Sequence, residues 1–567
     1  MYPFENPLGF GASDALEFVI GLLLISLVLL RPRLLPLARR LARRPVLCAL
    51  LLAAFAVALR LILLAHHPVP TPDIYDEFSH LLVADTLRHF RLANPPHPLP
   101  QFFETFFVLQ DPTYSSIYPL GQGLMLAFGW NTFGYPWAGV LFSTAAMIAT
   151  CYWMLRGWLR PEWALLGGLL AIFEFGPLCL WMNDYWGGSL PAWAGCLVFG
   201  ALPRLRRQGR WRDGWILGAG LFLHLITRPF ESIFLLLAAL LYLRRPSRPL
   251  LPALACMVAA LSFTAIHNQA VTGDWLKLPE ALSQSQYGVP AALAFQSNPV
   301  PHRSLTPQQE LGYRSQLAFR GAGPETMATF FARLEYRVRY YRFFFLAPLY
   351  VALAAFLIQA RQWWLMGTLA LFALGTNLFP AFQYHYVAAA TCLFVLASVL
   401  GLETLPRPAA HVVVSLCMAH FAFWYAIHLA DDQPFSLAMR RYETGNYINH
   451  QNPEGRIAIN RALAQIPDKL LVLVRYWPQH MFQEEWVYNA AEIDSARIVW
   501  ARDLGDAANA TLTRLYPDRT LLLLEPDAQP PKLSRYQPEP PVGQAPEKLT
   551  PQVKPTLRFE DVPPAKP

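Results

Sequence analysis

Residues 46–65 read VLCALLLAAFAVALRLILLA, and residues 66–77 follow as HHPVPTPDIYDE. The first stretch is apolar apart from Arg60 and has the length of an α-helix that crosses a bilayer, about twenty residues for a hydrocarbon core of roughly 30 Å. The second stretch breaks that helix with prolines and closes on acids. Working outward, the residues before the span hold Arg31, Arg33, Arg39, Arg40, Arg43 and Arg44. Clustered arginines mark the cytoplasmic side of a span. The acidic stretch therefore belongs to the opposite face.

The same alternation continues along the chain. Of 567 residues, 54% are hydrophobic and only 15% are charged, whereas soluble domains carry about a quarter charged residues. Apolar blocks fall at 14–30, 46–65, 137–155, 163–181, 190–202, 215–226, 232–243, 250–266, 343–358, 363–380, 384–402 and 411–429. The blocks at 215–226 and 232–243 are short for a full crossing, so they extend through their turn or lie tilted. The predicted fold is a polytopic α-helical membrane protein of about 12 transmembrane helices.

Further arginines cluster at 204–212 and 244–248, in short gaps on the cytoplasmic side by this count. They account for much of the net charge of +8. There is no basic face of a folded domain, so nucleic acid is not expected as a partner. The seven cysteines lack CxxC spacing and read as packing residues. The first eleven residues have no basic n-region or cleavage site, so the first block reads as a retained helix.

The domain plan is a membrane region over 1–430, with outer loops at 66–118 and 267–342. A small extracytoplasmic α/β domain over 431–528 follows from β-like runs at 470–476, 496–501 and 520–524 with a helix start at Asp506. The Pro-rich end, 529–567, shows no periodicity and is expected to be disordered.

Candidate chemistry concentrates after the second span, at Thr71-Pro72-Asp73-Ile74-Tyr75-Asp76-Glu77. Neighbouring carboxylates near a membrane interface raise one another's pKa or hold a divalent cation, with Asp76 and Glu77 as the expected ligands. The same acids also suit the start of a helix over 78–90, where negative charge favours the N-terminal dipole. Both readings stand at this level.

Asp76-Glu77, the amphipathic stretch 81–88 behind them and Tyr118-Pro119-Leu120-Gly121-Gln122-Gly123 together resemble the GT-C superfamily of integral-membrane glycosyltransferases. The resemblance is nearest to the protein O-mannosyltransferase and lipid A aminoarabinose transferase branch, often called family 39-like. It spans roughly the first 430 residues, but only those short pieces are specific.

The resemblance implies inverting transfer of a sugar, hexose or pentose, from a polyprenyl-phosphate carrier to a lipid, glycan or protein acceptor on the outer face. Asp76 would act as base or acceptor-positioning group, and Glu77 would support it or share a metal. The departing phosphate then needs positive charge. Arg228, in an outer Thr-Arg-Pro turn, fits that role, although Glu231 three residues on offers it an internal partner. His385, between Tyr384 and Tyr386, is either a second phosphate ligand or part of an aromatic belt.

Asp184, in Met182-Asn183-Asp184-Tyr185-Trp186-Gly187-Gly188, suits sugar recognition or a tight turn. Tyr118, Glu104 and Tyr384 complete the expected substrate contacts, with Asp111 as a further outer acid. Membrane lipids are expected against the basic aromatic run at 333–342.

A non-enzymatic transporter of lipid or oligosaccharide is the alternative, with Glu174 inside the fourth block as its key residue. Nucleotide-binding loops and the GxSxG or HExxH motifs are missing from the sequence. Arg/Ala/Leu/Pro richness leans toward a bacterial inner membrane, with the C-terminal domain periplasmic.

Overall fold

A computed structural model describes residues 19–23, 39–244, 248–320, 325–358, 362–430, 454–478 and 480–537. Most of the first expected span, and 538–567 of the tail, lie outside the described residues. Helix α1 (Pro45–Ile62) continues as a 3₁₀ turn to Ala65, and α2 (Tyr75–Arg88) follows the acidic stretch. The bundle then runs through α3 (Leu120–Phe133), α4 (Trp137–Trp158), α5 (Pro161–Phe175), α6 (Ser189–Gln208), α7 (Trp211–Leu225), α8 (Pro229–Leu243) and α9 (Leu251–Thr272). Helices α10 (Pro279–Tyr287), α11 (Pro307–Arg320) and α12 (Met327–Tyr340) occupy the second long loop. The membrane region closes with α13 (Leu349–Ile358), α14 (Trp363–Thr376), α15 (Thr391–Thr404) and α16 (Arg407–Ala430).

Among the described residues, five helical stretches are long and apolar enough to cross a membrane: Pro45–Ala65, Trp137–Trp158, Arg248–Thr272, Tyr384–Thr404 and Arg407–Ala430. Helices α8, α13 and α14 are apolar but shorter. Large apolar side chains remain exposed along these helices, among them Val46, Leu50, Leu241, Val258 and Leu261. Water would penalise such faces, and hydrocarbon would not.

Between helices the contacts rest on small residues. A methyl placed on Gly195 would sit 1.9 Å from the Ala389 carbonyl, and one on Gly139 would sit 1.8 Å from the carbonyl of Met125. Backbones this close gain dispersion contacts that larger side chains would prevent.

Two segments depart from the sequence expectation. The block at 163–181 is interrupted: α5 ends at Phe175, capped by Gly176 before Pro177, and only a single turn, Leu180–Asn183, follows. Proline lacks the amide that would continue the ladder and restricts the residue before it. Helix α3 was unassigned because its sequence, LGQGLMLAFGWNTF, has little amphipathic periodicity. It joins two chain turns: the Gly121 amide donates to the Ile226 carbonyl at 2.8 Å, and Gly129 lies against Gly139 at the start of α4.

The C-terminal region contains α17 (Glu454–Ala464) and α18 (Asp506–Leu515). Two strands in the first loop, β1 (Val108–Leu109) and β2 (Ser115–Ser116), form a small antiparallel pair. The C-terminal sheet consists of β3 (Leu470–Val474), β4 (Ile498–Arg502), β5 (Thr520–Glu525) and β6 (Lys532–Arg535), in the order β4-β3-β5-β6. Strand β3 runs parallel to β4 and β5 and is buried throughout, which explains its unbroken apolar sequence. Strand β6 is antiparallel to β5. The boundary expected at 528 therefore cuts the sheet short. An edge strand needs only a backbone partner, so KLSR carries no hydrophobic signal.

One face of this sheet is not free. Leu471, Leu473, Val499 and Ala501 pack in a common core with Leu82, Phe102, Phe103 and Val108 of the first loop. The domain also holds the backbone ahead of α2: the Tyr75 amide donates to Gln483 O at 3.2 Å, and the Glu485 amide to Asp73 O at 3.1 Å.

Candidate active site

Helix α2 begins where the sequence placed an acidic start, three residues earlier than expected. Glu77 is at its third position, and Oε2 accepts the Asp73 amide at 3.0 Å and the Ile74 amide at 3.4 Å. This is the backbone half of a capping box. Its other oxygen, Oε1, accepts the Tyr185 amide at 3.1 Å. Glu77 thus fixes the helix start and ties it to the turn between α5 and α6. Burial raises its carboxyl to about 7, against the opposing pull of those amides.

Asp76 points elsewhere. It accepts a hydrogen bond from the Tyr118 hydroxyl and is buried. Burial pushes it up to about 7, while Tyr118 and then the Arg228 guanidinium pull it back. A carboxyl held there can accept a proton near neutral pH. Tyr118 is fixed in turn by its backbone amide, which donates to Ser116 Oγ of β2 at 3.0 Å.

Arg228 precedes α8. Its guanidinium stands 4.0 Å from Glu231 and lies over the Tyr386 ring at 5.2 Å. The internal partner foreseen in the sequence is thus present, at the outer limit of an ion pair. His385 is buried between the rings of Trp186 (5.0 Å) and Tyr386 (5.1 Å), within electrostatic reach of Arg228. It has both the belt-like packing and the proximity that its two readings required.

Asp184 folds its own turn. Its Oδ1 accepts the Trp186 amide at 3.2 Å and lies 3.5 Å from the Gly187 amide, and burial followed by Glu77 raises its carboxyl well above the usual range. Gly188 has φ +139°, and a methyl there would collide with the Trp181 indole. The glycines therefore serve the turn, and Asp184 is brought beside Glu77. Arg60 anchors the same turn, donating to Asn183 Oδ1 at 2.6 Å and to the carbonyls of His67 and Pro68.

Two expected substrate contacts have protein partners of their own. Glu104 accepts from Arg303 at 2.6 Å, Tyr287 at 2.9 Å and Gln309 at 3.4 Å, while its carbonyl accepts from Arg502. It cross-links both long loops and the C-terminal sheet. The Tyr384 hydroxyl lies 2.8 Å from Cys179 Sγ, and its ring packs on Trp181 at 4.4 Å, inside the bundle. Neither side chain is brought to Asp76. Asp111 contributes a backbone carbonyl to Gln286.

Three neighbours were not singled out as site residues in the sequence. His80, one turn after Asp76, stacks on the Tyr118 ring at 4.1 Å. Tyr386 underlies Arg228. Glu280, at the start of α10, is raised to about 7 by its surroundings and then by Glu231, with Arg228 opposing. The four-residue spacing between Asp76 and His80 was a readable signal, whereas nothing local marked Glu280.

The donor set does not suit the divalent cation expected at Asp76 and Glu77. Both Glu77 oxygens are engaged by backbone amides, and the Arg228 guanidinium acts electrostatically on Asp76. Among the described residues no three His, Cys, Asp or Glu side chains converge to hold a metal.

With this geometry in place, solved structures offer likenesses. ArnT from Cupriavidus metallidurans bound to undecaprenyl phosphate is 9% identical, with a TM-score of 0.45, over 84% of this chain and 92% of that one. The oligosaccharyltransferase of Archaeoglobus fulgidus in the apo form is 11% identical, with a TM-score of 0.36, over 84% of this chain and 69% of that one. The archaeal oligosaccharyltransferase AglB, in complex with an inhibitory peptide and a dolichol-phosphate, is likewise similar, with a TM-score of 0.37 and 11% identity over the same shares. No family model matches the sequence, and no curated protein matches it.

Proposed function

We propose that the chain is a GT-C-type inverting glycosyltransferase of a bacterial inner membrane. It moves a sugar from a polyprenyl-phosphate carrier to an acceptor at the outer face, where the C-terminal domain also lies. The observation that carries this reading is Asp76: a buried carboxyl anchored by Tyr118, with the Arg228 guanidinium within electrostatic reach. The carrier class is the one implied by the sequence resemblance.

In this reading Asp76 takes the proton of an acceptor hydroxyl as that oxygen attacks the anomeric carbon. The bond from that carbon to the phosphate oxygen breaks, its electron pair leaves with the lipid phosphate, and Arg228 balances the charge. One base and one cation suffice for inversion, so a second carboxylate nucleophile is not needed. Glu77 and Asp184 set the frame that aims Asp76.

The test uses the full chain in native membranes with a panel of labelled undecaprenyl-phosphate sugars and cell-envelope acceptors. Transfer of label that disappears with Asp76→Asn supports the reading. Undiminished transfer in that variant removes Asp76 from the mechanism, and label that is translocated but never transferred favours the transporter.

A further inference from the structure

His80 is 5% exposed, yet neither Nδ1 nor Nε2 has a hydrogen-bond partner. Three other buried imidazoles are provided for: His97 contacts Tyr516 at 3.0 Å, His224 contacts Ser232 at 2.6 Å, and His480 contacts Asp527 at 2.7 Å. A polar ring left unpaired in an apolar site is costly, so it calls for a ligand or a penalty.

The ring is also held in place. It lies one turn beyond Asp76 on the same face of α2, because side chains four apart on a helix stack one above the other. Tyr118 fixes its plane by stacking at 19° while giving its hydroxyl to Asp76. Arg228 and His385 are both within electrostatic reach. Burial, and then Arg228, lower its pKa to about 3, so the ring is neutral and presents one N–H and one lone pair.

Resting on the glycosyltransferase reading, we propose that His80 is a direct ligand of the carrier phosphate, donating an imidazole N–H to a phosphate oxygen beside the Arg228 guanidinium. A neutral donor fits there because it adds a hydrogen bond without repelling the cation. Tyr118 then links the two halves of the reaction, its hydroxyl on the base and its ring on the phosphate ligand.

The test measures binding of undecaprenyl phosphate, and of undecaprenol as the same lipid without phosphate, to the full chain in nanodiscs. His80→Phe keeps the stacked ring and removes both nitrogens. It is expected to weaken undecaprenyl phosphate about tenfold, leave undecaprenol and the melting temperature unchanged, and be partly rescued by His80→Gln. His80→Leu gives the same readout if the phenyl ring misfolds the site. Parent-like binding of undecaprenyl phosphate by these variants, or equal loss of both lipids, overturns the role of His80 while leaving the donor reading intact. A parent chain that does not prefer the phosphorylated lipid overturns both.

Discussion

Tyr118 reaches back across 42 residues to donate a hydroxyl hydrogen bond to Asp76. That bond joins the entry to α3 with the start of α2 and favours the charged carboxylate, in opposition to burial. Tyr118→Phe removes this stabilisation, so the Asp76 carboxyl rises further. The rising limb of the pH–activity profile should shift to higher pH, with activity below neutrality falling most. An unshifted profile would show that Tyr118 does not tune the base.

The parent profile follows from the same carboxyl. Asp76 is raised from 3.8 to about 7, so it holds its proton at about pH 6 and has released it by about pH 8. A general base works only when deprotonated. Transfer should therefore increase with pH through about 7, and Asp76→Asn should lower turnover by about 100-fold or more. Initial rates from pH 5.5 to 8.5 test this, and a flat profile speaks against Asp76 as the base.

Glu77 and Asp76 are adjacent but should behave differently. Glu77→Ala leaves the amides of Asp73, Ile74 and Tyr185 without their acceptor. Each unpaired buried donor costs about 1–3 kcal/mol. A marked drop in melting temperature is expected, whereas Asp76→Asn should melt near the parent. Equal stability for both variants would contradict the capping role.

Arg228 is paired with Glu231 only at 4.0 Å. If the guanidinium serves phosphate, Arg228→Ala should reduce kcat/KM about 100-fold, with Lys a partial substitute that lacks bidentate geometry. Adding Glu231→Gln to Arg228→Ala separates the explanations. Recovery of activity would mean that Arg228 only neutralises its neighbour.

Arg303 and Glu104 form a cross-link at 2.6 Å. Arg303→Ala removes the charge-assisted bond but leaves the Tyr287 and Gln309 donors, so it should cost about 1–3 kcal/mol, while the KM for acceptor stays near the parent value. A large change in acceptor KM without loss of stability would restore Glu104 as a substrate contact.

Apolar helices were legible because a bilayer demands a minimum length and hydrophobicity, and residues 46–65 meet both. The C-terminal strands were legible for a related reason: β3 is buried on both faces and so reads as a continuous apolar run. β6 is defined by pairing with β5 and α3 by packing between two turns, so neither leaves a periodic trace. In the site, Asp76 was visible as an acid directly after a span. Glu104 and Tyr384 carried equally suggestive chemistry but are engaged elsewhere by Arg303 and Cys179.

The sequence by itself determined an apolar helical chain with a C-terminal α/β unit, and it pointed to the Asp76-Glu77 pair, because solvent preference and periodicity are local properties of the chain. Only the tertiary structure separated Asp76 from Glu77. Both are buried acids on one helical turn, but the Tyr185 amide from a turn 108 residues away occupies Glu77, while the Tyr118 hydroxyl donates to Asp76 and Arg228 lies within its electrostatic reach. A carboxyl's role depends on which donors reach it, and here those donors come from segments distant in the chain.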